Sequence, residues 1–337
     1  MHDAGFEFKA TRRAALRALG AVGGSMMIAP SGFAQSDWPT KNVTLVVGYP
    51  PGGQTDFVAR ALTPGMQTAL GKSVIIDNRG GVNGNIGADL VLHSPPDGYR
   101  LLAGNGVLTI NPHTYRTTQM VDPLKFTPIG TMLTSGLVLV VPSTSPYKDY
   151  RQFAQFVQEQ GKKDGINYGS SGAGGLTHVT MELLRERLGK PAMNHVPYKG
   201  AAAVSVDLIA GRVEAMFDAA SVVSPFVKTG QMRPLMVTSK QRIPVLPDVP
   251  TAAECGLKDF EIISFIGLYG PPGLSQDIVK KANAAMNAAL ADAAVRKVIV
   301  DRGDEPGGGT AEELAALTRD QFELWGRVVK SNDIRAD

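Results

Sequence analysis

The residues best placed to do chemistry lie in two glycine-rich segments, each between a predicted strand and a predicted helix. The first reads VVGYPPGGQTD over residues 46–56, and the second reads YGSSGAGGLTH over residues 168–178. Glycine lets backbone amides approach a ligand closely, and the start of a helix carries roughly half a positive charge. Each segment is therefore predicted to hold an anionic group at the start of its helix.

The donors in these segments are neutral. The first offers the amides of Gly52 and Gly53, and the second adds the hydroxyl groups of Ser170, Ser171 and Thr177. Neither segment contains arginine or lysine, so an acid would be held by amides, hydroxyls and water. Two such sites in two halves of the chain indicate an acid with two anionic groups between them. The alternative for the first segment is a simple turn in which Asp56 caps the helix.

Enzyme motifs are incomplete in this chain. The stretch GSSGA lacks the second glycine of a nucleophile elbow because Ala173 stands there, and His178 is too close along the helix to act as the base of a triad. The stretch GMQTALGKS has one residue too many between its glycines for a phosphate-binding loop. The chain is predicted not to be an enzyme, and a hydrolase that uses Ser171 is kept as an alternative.

Metal, cofactor and nucleic-acid binding are not predicted. The histidines after residue 34 have no cysteine or carboxylate at ligand spacing; they are His93, His113, His178 and His195. A formal net charge of +3 over 337 residues, without a cluster of basic and aromatic residues, argues against nucleic acid. The single cysteine, Cys255, allows no intrachain disulfide and is expected to pack as a small apolar side chain.

The first 34 residues have the pattern of an export signal. Arg12 and Arg13 precede a short apolar run, and small residues ending at Ala34 indicate a cleavage site. The arginine pair favours the twin-arginine route, with Sec export as the alternative. Removal takes away four basic and two acidic residues, which leaves a net charge of about +1. No later apolar run approaches the length of a membrane span. The mature protein is therefore predicted to be periplasmic, and the absence of an exposed apolar heptad pattern favours a monomer.

Strands and amphipathic helices alternate through the rest of the chain, which predicts a mostly parallel sheet with a ligand beyond the carboxyl ends of its strands. Strands are predicted over residues 42–47, 73–76, 101–103, 137–141, 166–168, 213–217 and 235–238. Helices are predicted over residues 55–70, 150–160, 175–188, 275–290 and 310–329. Gly71 and Gly189 are expected to end two of them, and Thr310 with Glu313 forms a capping-box pattern.

Seven segments, in order along the chain, are similar to one family. They are VVGYPPGGQTDFVAR, DNRGGVNGNIGADLV, PPDGYRLLAGN, INYGSSGAGGLTHVTMELL, HVPYKGAAAVSVDLIAGRVEAMFD, DVPTAAECG and GLYGPPG. Together they resemble the Bug family, the periplasmic solute receptors of tripartite tricarboxylate transporters. The resemblance covers essentially the whole chain after the export signal.

The resemblance implies an α/β chain with a type II periplasmic-binding-protein fold, in which two α/β lobes joined by two crossover strands close over a small organic acid. With crossings near Leu137 and Ile262, lobe 1 would comprise residues 35–136 and 262–337, and lobe 2 residues 137–261. The implied partner is a membrane permease that takes up the ligand. A receptor that presents its closed form to a sensor kinase is the alternative.

The resemblance also implies a set of binding residues. They are Tyr49, Gly52, Gly53, Thr55, Asp56, Ser170, Ser171, Gly174, Thr177 and Asp218. Asp218 would face the cleft after a strand and influence specificity, and His178 would orient the second segment. The sequence departs from the family pattern at Gly175, where serine is frequent, and at Asn83, where a small residue is usual. These departures leave the identity of the ligand open.

Overall fold

The computed structural model of the chain describes Met1, His2 and residues 38–337. Nearly all of the predicted export signal therefore lies outside the described residues. From Trp38 to the end, the chain belongs to one compact unit. Within the described part, no helix has the length and apolar character needed to cross a membrane.

Strands and helices alternate through this unit. The strands are β1 Val43–Val47, β2 Val74–Asn78, β3 Arg100–Asn105, β4 Thr127–Pro142, β5 Ile166–Ser170, β6 Met193–Pro197, β7 Ala215–Ala219, β8 Met232–Val237, β9 Ile263–Gly270 and β10 Glu305–Gly308. The helices are α1 Gln54–Leu70, α2 Asn85–Leu92, α3 Asn111–Thr114, α4 Tyr150–Gln160, α5 Leu176–Arg187, α6 Ala201–Ile209, α7 Ala220–Lys228, α8 Gln276–Ala291, α9 Ala293–Val300 and α10 Ala311–Asn332. Short 3₁₀ helices occur at Val82–Gly84, Gly106–Thr109 and Pro123–Lys125.

Strand β4 connects two halves of one sheet. Up to Gly136 it pairs with β9, which continues to β3, β1 and β2; we call this the first half. From Leu137 it pairs with β7, which continues to β5 and β6, and with β8; we call this the second half. The strands β1, β2 and β3 are parallel to one another, as are β5, β6 and β7. The pairings of β4 with β7, β8, β9 and β10 and of β3 with β9 are antiparallel, so the sheet is mixed and the prediction of a mostly parallel sheet is wrong. The change of partners lies where the first crossing is predicted, and the lobe boundaries stay a prediction.

Each half has its own apolar core. In the first half, helices α1 and α8 pack on the sheet through buried residues such as Val58 and Met286. In the second half, α4 and α5 contribute Phe153 and Val179 to a core that also contains Phe217 of β7. Burial of this much apolar surface supplies the main driving force for folding.

Helix α10 is buried in both halves. Near its start, Leu314 packs with Val46 and Phe265 of the first half. Near its end, Trp325 is fully buried in the cluster that contains Phe153 of the second half. The chain end then contacts α3, where the amide of Ala336 donates a hydrogen bond to the carbonyl oxygen of Thr114.

Local sequence signals predicted the ends of several elements correctly. Helix α4 has the predicted bounds, and Gly71 and Gly189 adopt left-handed backbone conformations, with φ of 64° and 79°. The capping box of Thr310 and Glu313 is present at the start of α10. Strands β6, β9 and β10 and helices α2, α3, α6, α7 and α9 were not predicted. These elements are short or almost wholly apolar, so their sequences carry little periodicity.

Candidate functional site

A cleft of about 260 Å³ lies where the starts of three helices meet. Gln54, the first residue of α1, lines it from the first half. Gly175, which precedes α5, and Ala219, which precedes α7, line it from the second half. No side-chain cap is present at any of the three N-cap positions, Gly53, Gly175 and Ala219. The partial positive charges of three helices therefore point toward one space.

The first glycine-rich segment reaches the cleft through Tyr49 and Gln54. The Tyr49 hydroxyl lies 2.9 Å from the carbonyl oxygen of Asn83 and 3.0 Å from Oδ1 of Asn105, and both of these residues also line the cleft. Burial raises the pKa of Tyr49, so its hydroxyl stays protonated at neutral pH. Asn83 belongs to the 3₁₀ helix Val82–Gly84, so this part of the chain reaches the cleft as well.

Asp56 supports the first segment from its buried side through hydrogen bonds. The Asp56 side chain is only 3% exposed; Oδ2 accepts hydrogen bonds from the amide of Gly52 and from Nε of Arg60, both at 2.9 Å. Its Oδ1 accepts another from Nδ2 of Asn78 at 2.9 Å. The bond from Arg60 is the largest cause that lowers the pKa of Asp56 to about 2. The carboxylate is therefore ionised and holds Gly52, which has a φ of +93°, in place.

Four predicted binding residues of this segment are not among those that line the cleft. They are Gly52, Gly53, Thr55 and Asp56. Thr55 and Asp56 are buried inside the first turn of α1, and the Gly52 amide already has a partner. Their contact with a ligand stays a prediction, whereas their part in shaping the loop is visible in the hydrogen bonds.

The second glycine-rich segment presents Ser171 and Thr177 to the cleft. Their hydroxyl oxygens lie 3.0 Å apart, and the amide of Ser171 donates to Oγ1 of Thr177 at 3.1 Å. Ser170 is fully buried behind the segment, where its Oγ lies 2.7 Å from Nε2 of His195. The amide of Gly174 donates to Nδ1 of His178 at 3.0 Å, so Gly174 and Ser170 support the segment from below.

A stack of aromatic rings, formed by Tyr168, His178 and His195, lies under this segment. The two imidazole rings have centroids 3.6 Å apart and planes inclined by 13°. Burial lowers the pKa of His178 to about 4 and that of His195 to about 3, and for His195 the neighbouring His178 adds to the effect. Both rings are therefore neutral at pH 7, and each can accept a hydrogen bond that fixes the segment above.

Among the residues that the structure describes, one charged side chain lines the cleft. Asp218, at the end of β7, lines the cleft, and none of the lining residues is arginine, lysine or histidine. A bound acid would thus be held by the helix starts, hydroxyls and amides, as the sequence predicts. No group of three or more potential metal ligands occurs in the part of the chain that the structure describes.

The geometry gives Ser171 no base. Its hydroxyl contacts Thr177, and Nδ1 of His178 is taken by the amide of Gly174. Ser170 does contact a histidine, but it is fully buried and does not line the cleft. Nucleophilic attack needs an exposed nucleophile paired with a base, and neither serine combines these two properties.

Several lining residues were missed from the sequence. Asn105 ends β3, and the rule that ligands lie beyond the carboxyl ends of strands could have found it. Ser264 lies near the start of β9, a strand that was not predicted. Gln54 donates from Nε2 to Oδ1 of the buried Asp304 at 2.9 Å, a contact between residues 250 positions apart that no local pattern reveals.

Ser171 supplies a direct test of the cleft. We expect Ser171→Ala to weaken binding of a carboxylate ligand by about tenfold, because a hydrogen bond to a charged group contributes about 1.5–3 kcal/mol. Titration calorimetry measures the change. Thr144→Ala, which removes a hydroxyl from an exposed turn outside the cleft, is the control and should bind as the wild type does. Equal affinities for all three proteins would contradict a role for Ser171.

Comparison with known proteins identifies the family. A family described as "Tripartite tricarboxylate transporter family receptor" matches residues 58–334. The UPF0065 protein of the tcbD-tcbE intergenic region of Pseudomonas sp. strain P51 is 34% identical over 301 residues, which cover 89% of each chain.

Two solved structures are also similar. The structure of Rpa4515 of R. palustris with adipate is 31% identical with a TM-score of 0.75, and the match covers 88% of this chain and 99% of that one. The structure of MatC (Rpa3494) from Rhodopseudomonas palustris with bound malate is 30% identical with a TM-score of 0.71, covering 87% and 100%. These matches confirm the predicted type II periplasmic-binding-protein fold and the resemblance to the Bug family. The chain belongs to the family of receptors of tripartite tricarboxylate transporters.

Proposed function

We propose that this protein is an exported receptor that binds a small organic carboxylate in the cleft and delivers it to a membrane permease. The observation that carries the proposal is the convergence of three uncapped helix starts on one cleft, which none of the described residues lines with a cationic side chain. Such a cleft favours a small anion and can release it, since no buried ion pair has to be broken. Periplasmic location follows if residues 1–34 act as the export signal that their pattern indicates.

The volume of the cleft and the ligands in two similar structures support the same ligand class. A volume of about 260 Å³ is below the usual range for drug-sized ligands and suits a small acid with a few waters. The structures similar to this chain contain adipate and malate, which are both dicarboxylates. A dicarboxylate would allow one anionic group to face α1 and the other to face α5.

A thermal unfolding screen tests the proposal. We expect at least one acid from a panel of aliphatic and aromatic carboxylates to raise the unfolding midpoint of the purified protein. A ligand at one hundred times its Kd stabilises the native state by about 2.7 kcal/mol, which corresponds to a rise of about 5 °C.

The uncharged diamides of the same acids are the matched controls and should leave the midpoint unchanged. A protein that unfolds cooperatively and is stabilised by no carboxylate in the panel would contradict the proposal. Stabilisation by diamides and acids alike would show that the cleft does not recognise the anionic group.

A further inference from the structure

One carboxylate oxygen of Asp218 accepts a hydrogen bond, and the other accepts none from the described residues. The residue is 6% exposed and lines the cleft at the end of β7. Its Oδ1 accepts a hydrogen bond from the amide of Ala219 at 2.8 Å. Its Oδ2 is buried, and none of the described residues gives it a hydrogen bond. Because unpaired buried oxygens are rare and costly, this one needs an explanation.

The groups around Asp218 do not neutralise it. The lining of the cleft contains no cationic side chain, and its other titratable group is Tyr49, whose hydroxyl already faces Asn83 and Asn105. Beyond the start of α7, Ser221 approaches Asp304, a second buried carboxyl whose pKa burial raises. Since none of the described residues supplies a partner for Oδ2, a molecule bound in the cleft that Asp218 lines could supply one.

We propose that Oδ2 of Asp218 accepts a hydrogen bond from a hydroxyl or ammonium group of the ligand, so that the cleft selects carboxylates that carry such a donor over unsubstituted ones. This inference rests on the proposed function and narrows its ligand class. Asp218 is thereby a specificity-determining residue.

The charges of the cleft fix how such a ligand would lie. Its carboxylates belong at the starts of α1 and α5, where Gln54 and the hydroxyl groups of Ser171 and Thr177 line the cleft. A carboxylate against Asp218 would face a like charge, whereas a hydroxyl or ammonium group there gains a charge-assisted hydrogen bond. An unsubstituted acid would leave Oδ2 unpaired or would require Asp218 to take up a proton.

Protonation of Asp218 distinguishes these two cases. Burial raises the pKa of Asp218 to about 6, so the carboxyl is mainly ionised at pH 7.5 and largely protonated at pH 5. A ligand donor stabilises the ionised form, and binding of such a ligand should weaken as the pH falls from 7.5 to 5. An acid that binds to the protonated carboxyl of Asp218 would bind more tightly as the pH falls over the same range.

Matched acids test the proposal by titration calorimetry. The probes are succinate, malate and aspartate, which share one carbon skeleton. Succinate has no substituent, malate has a hydroxyl group and aspartate has an ammonium group. Adipate and its 2-hydroxy and 2-amino derivatives form a second series, and benzoate with its hydroxy and amino derivatives a third. At pH 7.5 we expect a substituted acid to bind at least tenfold more tightly than its unsubstituted counterpart. Malate against aspartate shows which donor is preferred.

Variants assign the preference to Asp218. Asp218→Asn and Asp218→Ala should reduce the tenfold preference to threefold or less and should reduce the weakening of binding at low pH to the part that protonation of the ligand itself causes. Asp320→Asn makes the same change of charge at an exposed position of α10 and should behave as the wild type does. Unfolding midpoints of all variants establish that they are folded.

The outcomes separate the inference from the proposed function. If unsubstituted acids bind as tightly as substituted ones, or bind more tightly at pH 5 than at pH 7.5, the inference is overturned while the receptor function stands. A preference that survives in both Asp218 variants also overturns it. If no acid of the three series binds, the proposed function fails and the inference fails with it.

Discussion

Between pH 7.5 and pH 4.5, we expect the wild-type protein to lose about 5 kcal/mol more of its free energy of unfolding than a His178→Gln/His195→Gln double variant loses. The reason is the stack of Tyr168, His178 and His195 under the second segment. Burial lowers the pKa of His178 to about 4 and that of His195 to about 3, whereas an unfolded histidine titrates near 6.5.

The sign follows from which state binds protons. Above pH 6.5 both states hold neutral imidazoles, so this contribution to stability is fully present. As the pH falls, the unfolded chain takes up protons first, and stability is lost until the folded pKa values of about 4 and 3 are reached. The nearby charges are Glu182 and Arg185, which pair with each other through Nε of Arg185 and Oε2 of Glu182 at 2.8 Å.

Comparison with the variant is necessary because Asp218 acts in the opposite direction. Its raised pKa of about 6 makes the folded state take up a proton before the unfolded state does, which adds stability as the pH falls. The low pKa of Asp56 matters only below this range. The contributions of Asp218 and Asp56 are the same in both proteins, so they cancel when the wild-type loss of the free energy of unfolding is compared with that of the double variant.

Denaturant titrations at a series of pH values measure this difference. His93→Gln is the control, because the His93 side chain is 72% exposed on the surface. Its stability should depend on pH as that of the wild type does. If the double variant shows the same pH dependence as the wild type, the buried stack does not control acid stability.

Asp56→Ala should lower the free energy of unfolding by about 3 kcal/mol, the second large effect. The substitution removes the acceptor for the amide of Gly52, for Nδ2 of Asn78 and for Nε of Arg60. The first two donors are partly buried, and leaving such groups unpaired costs about 1–3 kcal/mol each. Because Gly52 is released as well, affinity for a carboxylate should fall at least tenfold.

Asp77→Ala is the matched control for Asp56→Ala. Asp77 also pairs with an arginine, Arg79, through Nε and Oδ1 at 2.9 Å, but this pair is more exposed to solvent. Exposed ion pairs contribute about 0–1 kcal/mol, so the control should change stability little. Denaturant titration and calorimetry on both variants give the two readouts. Equal losses of stability would mean that the Asp56 contacts do not hold the loop.

The sequence was most informative where a structure depends on neighbouring residues. Each glycine-rich segment contains its strand end, its glycines and its helix start within about eleven residues, and both segments do reach the cleft. The ends of helices were predicted for the same reason. The left-handed Gly71 and the capping box at Thr310 depend only on residues within one turn.

Contacts between residues far apart in the sequence could not be predicted from local patterns. Tyr168 and His195 are stacked because β5 and β6 pair in a register that sets these two residues side by side. Each histidine was considered by itself, because nothing in the spacing of His178 and His195 indicates that their rings are stacked. The contact of Gln54 with Asp304 likewise depends on the path of the whole chain.

Helix α10 restricts any motion of one half of the sheet against the other. Its Leu314 end is buried with the first half, and its Trp325 end is buried with the second. A rotation that swings either end through a wide arc would pull one of these side chains into water, at a cost of several kcal/mol for the tryptophan. A rotation whose axis passes close to the helix leaves both ends buried. If the two halves move apart to admit a ligand, a twist about the line of α10 would therefore cost the least free energy.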